Sequence, residues 1–151
     1  MSIDLLEALT DYYDIVENAT KSRAIVAPSG LDFVPGPGDD LESMIWVITY
    51  AIMLHHQESL QGPAKTHYKH RFVNNFYGSL SYSGLAEKRN AMMSYGIRSR
   101  GLEKWIPDLA QRKWFTRAMR LVAGQTMSAP DKELITFDAF DALCDEFVTD
   151  A

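Results

Sequence analysis

Residues 38–56, GDDLESMIWVITYAIMLHH, decide the fold class of this chain. Two aspartates, Asp39 and Asp40, stand directly before a helix-length run in which nearly every side chain is apolar. A surface helix normally carries one apolar stripe and one polar face, whereas the apolar residues here surround the whole helical wheel. We therefore predict a central helix over residues 40–54 that is enclosed on all sides.

The composition is that of an ordinary folded domain. The chain has 151 residues, of which 46% are hydrophobic and 23% charged, and this length supports one hydrophobic core. The apolar run is shorter than the roughly 20 residues that a membrane span needs, so we expect no membrane segment. Because Cys144 is the single cysteine and the N-terminus is acidic rather than signal-like, we expect an intracellular, cytoplasmic protein.

Helical spacing of apolar residues recurs on both sides of the central run. The pattern predicts an all-α protein with about five to six helices in one domain, residues 1–151, and an irregular Pro/Gly-rich loop over residues 21–39. We expect Ser83 and Thr136 to cap helices, and Gly96 to end one. The other predicted helices cover residues 4–19, 62–78, 84–96, 106–124 and 136–148. Tyr68, Phe72 and Phe76 repeat every four residues and form an aromatic stripe on the second of these helices. The predicted inner face of the last helix consists of Phe137, Phe140, Leu143, Cys144 and Phe147.

The stretch GDDLESMIWVITYAIM resembles the casein kinase pattern in which Asp-Asp-Leu-Glu-Ser opens a long buried helix of the C-terminal lobe. It is closer still to fungal-type protein kinases, which have His-Asp-Leu-Glu-Ser followed by aromatic and aliphatic residues. MSIDLL at the N-terminus is similar to the end of that family's activation segment. GLAEKRNAMM and LITFDAFDALCDEF are similar to later helices of the same lobe. The resemblance implies the helical C-terminal lobe of a protein kinase-like fold.

The resemblance also implies roles for individual residues. Asp40 matches the aspartate that accepts hydrogen bonds from the backbone of the catalytic loop. The simpler alternative is that Asp39 or Asp40 caps the helix, and the two roles can coexist. Asp4 matches a glutamate that forms a buried ion pair with a later arginine, which we cannot assign in this sequence. Together with Ser43 and Trp46 of the same motif, these residues are the structural site that the resemblance predicts.

The sequence lacks the parts of a kinase that perform phosphoryl transfer. It contains no Gly-rich loop, no paired lysine, no catalytic-loop aspartate and asparagine, and no metal-binding Asp-Phe-Gly. If the resemblance holds, the chain begins where the activation segment ends, and it lacks the N-terminal lobe. We expect no catalytic residues and no cofactor in this chain, since ATP and magnesium belong to a full-length homologue. We also expect a possible protein partner at the surface left by the missing lobe, with Tyr12, Tyr13 and residues 24–26 exposed there.

The charge distribution favours a second hypothesis. Residues 65–120 hold twelve basic and three acidic residues, whereas the flanking parts of the chain are acidic. Aromatic residues are interleaved with the basic ones, so the chain could be a helical interaction module that binds an acidic protein or nucleic acid. The simpler alternative is that the basic middle packs against the acidic flanks, and a nucleic-acid partner is the less favoured reading. The aromatic residues in question are Tyr95, Trp105, Trp114 and Phe115.

Two further groups of residues could carry chemistry. His67 and His70 lie one helical turn apart and are weak candidates for a zinc site, but no cysteine is near them. Cys144 is a possible nucleophile, yet its acidic neighbours Asp145 and Glu146 should raise the pKa of its thiol. We expect no metal, and we interpret the histidines as solvated or hydrogen-bonded and Cys144 as a small buried residue.

Overall fold

The computed structural model describes residues 1–22, 36–78, 81–98, 101–127 and 130–149, and every regular element in them is helical. The all-α prediction is confirmed. The helices are α1 (Ile3–Ser22), α2 (Pro37–Ser59), α3 (Gly62–Tyr68), α4 (Asn74–Tyr77), α5 (Tyr82–Arg98), α6 (Leu109–Thr126) and α7 (Phe137–Thr149). A π-helical segment, Lys69–Val73, joins α3 to α4, so residues 62–77 form one continuous helix, and a 3-10 turn, Leu102–Lys104, precedes α6.

The central helix is longer than predicted. Pro37 occupies its first turn, where the missing N–H costs nothing and the fixed φ favours a helix. The irregular loop predicted over residues 21–39 was therefore too long at both ends, because α1 continues to Ser22 and α2 begins at Pro37. The rest of that predicted loop, residues 23–35, lies outside the described part of the chain.

The core forms where α2 meets the helices that follow it. One face of α2 packs on α6 and on the π-helical segment, α5 packs on both α1 and α6, and α7 packs on α6. The predicted aromatic stripe of Tyr68, Phe72 and Phe76 is buried and lies against Trp105. Its Tyr68 hydroxyl donates to the carbonyl oxygen of Trp105. The fully buried large side chains include Trp46, Phe115, Ile3, Leu6, Ile45, Met53, Met92 and Met119.

Two predicted helix boundaries were wrong. Ser81 rather than Ser83 caps α5, since its hydroxyl accepts a hydrogen bond from Gly84 N at 3.2 Å. Gly96 does not end that helix, which continues to Arg98. Gly96 is buried where α5 crosses α6, and a Cβ atom there would collide with Met119 and lie 3.0 Å from Phe115 Cε1. Glycine is present for close packing of two helices rather than for termination.

The last helix follows its predicted cap but not all of its predicted inner face. Thr136 Oγ1 accepts a hydrogen bond from Ala139 N at 3.2 Å, as an N-cap residue should. Leu143 is buried, whereas Phe137, predicted to face the core, is 69% exposed. Phe137 is the first residue of α7 and precedes the turns that contact α6, which explains the difference.

Candidate functional site

The start of α2 separates the roles of its two aspartates. Asp39 Oδ2 accepts a hydrogen bond from Gly36 N at 2.8 Å, and the Ser43 hydroxyl donates to Asp39 O at 2.8 Å. Asp39 thus provides the reciprocal half of a capping box. The Asp40 side chain is exposed on the outer side of the first turn. Of the two alternatives, Asp39 holds the end of the helix, and Asp40 is accessible to other groups.

Glu42 is the centre of a buried polar junction. It is fully buried, and its Oε1 accepts hydrogen bonds from Ile3 N at 2.8 Å and from Trp46 Nε1 at 2.9 Å. Its Oε2 accepts from Gln125 Nε2 at 2.9 Å. Because these donors belong to α1, α2 and α6, one carboxylate ties three helices together.

Gln125 extends this junction toward the C-terminal helix. Its Oε1 accepts a hydrogen bond from Ile135 N at 3.1 Å, just before α7. A Cβ atom on Gly38 would lie 2.5 Å from that same oxygen. The glycine at position 38 therefore makes room for Gln125, which is only 1% exposed.

Arg89, from α5, adds a cation to the buried polar junction. Its guanidinium lies 5.1 Å from the centre of the Trp46 ring and donates to the carbonyl oxygen of Met1. The side chain is only 7% exposed, and its Nε atom has no hydrogen-bond partner among the described residues. Trp46 is thus held by a carboxylate at its indole N–H and by a cation over its face.

The electrostatics of the junction follow from its burial. Desolvation raises the pKa of Glu42 above the ordinary range of a glutamate, although the three donated hydrogen bonds act in the opposite direction. Burial likewise lowers the pKa of Arg89, while Tyr77 and Glu42 favour its charged form. Such groups are costly unless they are hydrogen-bonded, so the junction is sensitive to the loss of any one partner.

The ion pair predicted for Asp4 takes a different form. Asp4 Oδ2 lies 2.6 Å from Lys132 Nζ, which connects α1 to the segment before α7. The partner is a lysine rather than an arginine. The side chain of Lys132 is 36% exposed, and that of Asp4 is 22% exposed. The expectation of a buried arginine pair was wrong, but a pair between the N-terminus and a late basic residue is present.

The outer face of α2 is exposed and apolar. Ile45 and Trp46 are buried, but Met44 and Val47 are 50% and 66% exposed, and Tyr50 is 37% exposed. The prediction that this helix is enclosed on all sides was therefore wrong. The apolar residues Met44, Val47, Tyr50 and Ala51, here called the α2 outer face, lie side by side at helical spacing on the surface. Exposed apolar groups that adjoin one another in this way are typical of an interaction site.

The predicted tyrosine patch lies where α1 contacts α5. Tyr13 is 52% exposed and stacks on Tyr82 with ring centres 5.6 Å apart, while Tyr12 is half-buried. Residues 24–26, which were predicted to join this patch, lie outside the described residues. The described part of the patch therefore consists of tyrosines contributed by α1 and α5.

The histidine and cysteine candidates do not come together. His67 and His70 are both exposed, and no group of three or more His, Cys, Asp or Glu within the described ranges could hold a metal ion. Burial together with Asp141 and Asp145 raises the pKa of the Cys144 thiol, which disfavours the reactive thiolate.

The basic region has fewer exposed aromatic residues than its sequence suggests. Trp114 and Phe115 are core residues of α6. Tyr95 is 49% exposed, and its ring packs on that of Trp105 with the ring centres 4.7 Å apart. One pair in this region matches the intramolecular alternative, since Lys65 Nζ lies 2.7 Å from Glu58 Oε2. Two of the four interleaved aromatic residues, Trp114 and Phe115, are therefore buried in the core and are not part of a surface that could bind a partner.

Sequence reasoning missed Glu42, Gln125 and Arg89. The available signal for Glu42 was a carboxylate three and four residues before the apolar Ile45 and Trp46, which places it on their face of the helix. Gln125 and Arg89 gave no such signal, because their hydrogen-bond partners are distant in the sequence. Gln125 is 83 residues from Glu42, and Arg89 is 88 residues from Met1.

Comparison of the chain with models of protein families, with curated proteins and with solved structures found no match. In the described part of the chain, no helix has both the length and the apolar character to cross a membrane.

Proposed function

We propose that this chain is the helical scaffold of a lobe like the C-terminal lobe of fungal-type protein kinases, and that it does not transfer phosphate by itself. In this proposal its function is binding. The α2 outer face receives the polypeptide that carries the catalytic and metal-binding loops of such a lobe. The family's activity is phosphorylation of serine and threonine in proteins, and the present chain supports that activity by holding the loops.

The observation that carries the proposal is the exposure of Val47 beside the buried Trp46. In the resembling kinases the Asp-Leu-Glu-Ser helix lies inside the lobe, and here half of that helix already packs as a core element. Its other half has the composition of a core but faces solvent. An apolar polypeptide segment is the occupant that such a face fits.

Two features of the described residues add support. Asp40, at the position where kinases present an aspartate to the catalytic loop, has an exposed side chain at one end of the α2 outer face. The Asp4–Lys132 pair also joins the N-terminus to a later basic residue, as the family's ion pair does, but with a lysine and in a partly exposed position. Both features are compatible with a scaffold that binds the catalytic and metal-binding loops.

The test is binding of a recombinant polypeptide that contains the catalytic and metal-binding loops of a fungal-type kinase. We expect saturable binding to the wild-type chain and its loss in Val47→Asp, because a carboxylate in an apolar interface is costly to bury. Leu134→Asp is the matched control, since Leu134 is 64% exposed and Val47 66%. Equal binding by all three proteins, or by none, would contradict the proposal.

A second measurement tests the absence of nucleotide chemistry. A ligand that binds only the folded state raises its thermal midpoint. We expect no shift of the unfolding midpoint of the purified chain when ATP and magnesium are titrated together. A saturable upward shift would reveal a nucleotide site and overturn the scaffold proposal.

A further inference from the structure

A groove between α6 and α7 combines two cations with an apolar floor. It encloses a volume of 210 Å³ and is partly open to solvent. Arg117 and Arg120 come from α6 on one side, and small side chains come from α7 on the other. Among the described residues, the groove is also lined by Leu121, Ala139, Ala142 and Leu143.

The two arginines are arranged to act together. They are three residues apart, so they occupy the same face of α6, and both are exposed. A guanidinium offers several N–H donors in a plane that matches a carboxylate. Arg117 also takes part in an interaction within the protein, and its donors are numerous enough to serve a ligand as well.

The floor of the groove selects for an apolar group beside the anion. Leu121 and Leu143 contribute aliphatic surface, and the alanines keep the α7 side low so that a ligand can approach closely. A purely polar anion would leave this surface in contact with water. A ligand with an aliphatic side chain next to a carboxylate satisfies both parts of the groove.

The surroundings argue against simple attraction by net charge. Asp138, Asp141 and Asp145 of α7 are exposed and do not line the groove. They oppose the approach of any anion, so long-range attraction is weak and contacts inside the groove must provide the affinity. Nucleic acid, which binds mainly through its phosphate charge, is the less suitable partner.

We propose that the α6–α7 groove binds an acidic peptide segment of a partner protein, in which a leucine-like side chain lies next to a glutamate or aspartate. The segment's carboxylate pairs with Arg117 and Arg120, and its aliphatic side chain fills the floor. This site is separate from the α2 outer face and does not depend on the kinase-like proposal.

The test is fluorescence anisotropy with a labelled twelve-residue peptide of alternating glutamate and leucine. We expect Arg120→Ala and Ala142→Glu each to raise the Kd about tenfold, the usual effect of losing a charge-assisted contact. Arg98→Ala and Ala91→Glu are the matched controls, because both positions are exposed on α5. We expect these controls to change the Kd by less than about twofold, within the range of surface charge effects.

Three results would overturn the proposal. One is equal loss of affinity in all four variants, which would indicate a diffuse charge effect. Another is equal binding of a peptide with serine in place of leucine, since the apolar floor would then be irrelevant. The last is displacement of the peptide by a single-stranded oligonucleotide of the same charge. The thermal midpoint of each variant, measured in parallel, distinguishes a lost contact from a lost fold.

Discussion

The two faces of α2 have similar sequences but opposite surroundings. Ile45 and Trp46 are at most 1% exposed, whereas Met44 and Val47, their immediate neighbours, are at least half exposed. The buried face adjoins a carboxylate with three hydrogen-bond donors, whereas none of the described residues provides a comparable polar centre on the exposed face. The comparison teaches that apolar composition predicts which residues a helix is able to bury. In this chain the face that is actually buried is the one whose carboxylate, Glu42, has hydrogen-bond partners on other helices.

The largest expected effect is on the buried face. Trp46→Ala should lower the free energy of unfolding by about 3–5 kcal/mol, because it opens a cavity and removes the indole donor to Glu42. Val47→Ala, one residue away, should change it by less than about 0.5 kcal/mol, as surface substitutions do. Chemical denaturation of both variants measures the difference. Similar losses in the two variants would mean that the faces are not distinct.

The next largest effect concerns the carboxylate itself. Glu42→Leu leaves the N–H groups of Ile3, Trp46 and Gln125 without an acceptor, so we expect a loss of about 3 kcal/mol or more. Glu42→Gln keeps one amide oxygen as an acceptor and should cost less. Denaturation midpoints give the order of the two variants, and a leucine variant as stable as wild type would show that the junction is not needed.

The pH dependence of the free energy of unfolding tests the role of the Glu42 carboxyl group. The pKa of Glu42 is raised in the folded state, so the folded protein holds this proton more tightly than the unfolded chain does. The contribution of Glu42 to the free energy of unfolding is complete at a pH below the pKa that Glu42 has in the unfolded chain. It is lost as the pH rises through the pKa that Glu42 has in the folded protein. The difference in unfolding free energy between wild type and Glu42→Gln should therefore decrease with rising pH across that window. A difference that is constant with pH, or that increases, would contradict the assigned direction.

A smaller effect is expected at the end of the helix. Asp39→Ala removes the acceptor for Gly36 N and should lower the free energy of unfolding by about 1 kcal/mol, the usual value of such a cap. Asp40→Ala is the control, because its side chain is exposed. Thermal melts of the two variants test the assignment, which fails if Asp40→Ala is the more damaging substitution.

The smallest effect is expected for the pair between Asp4 and Lys132. Both side chains are partly exposed, so a double-mutant cycle with Asp4→Asn and Lys132→Met should give a coupling free energy of about 0–1 kcal/mol. The coupling should decrease further in high salt. A coupling of several kcal/mol would indicate a buried pair of the kind that the resembling family has.

Local rules predicted much of the fold. The all-α class, the aromatic stripe of Tyr68, Phe72 and Phe76, and the Thr136 cap follow from helical spacing and capping preferences within a few residues. Gly96 was misread because its role depends on Met119, which a local pattern cannot reveal. Local signals were thus sufficient wherever the partner was also local.

The candidate site was less accessible to sequence reasoning. Trp46 was identified from its motif, but the acceptor of its indole N–H, Glu42, was not. Gln125 reaches Glu42 across 83 residues of sequence, and nothing in the spacing of either residue indicates the other. The α2 outer face was missed because periodicity reports apolar character and not whether a partner element is present to cover it.

The most direct test of the central claim is the chemical accessibility of the two faces of α2. Cysteines placed singly at Ile45 and Val47, in a chain whose Cys144 is replaced by alanine, can be labelled with a thiol reagent under native conditions. The account predicts rapid labelling of Val47→Cys and labelling of Ile45→Cys that is slower by orders of magnitude, because access to the latter requires local unfolding. Similar protection of both cysteines would show that the α2 outer face is already covered, and the scaffold proposal would then be wrong.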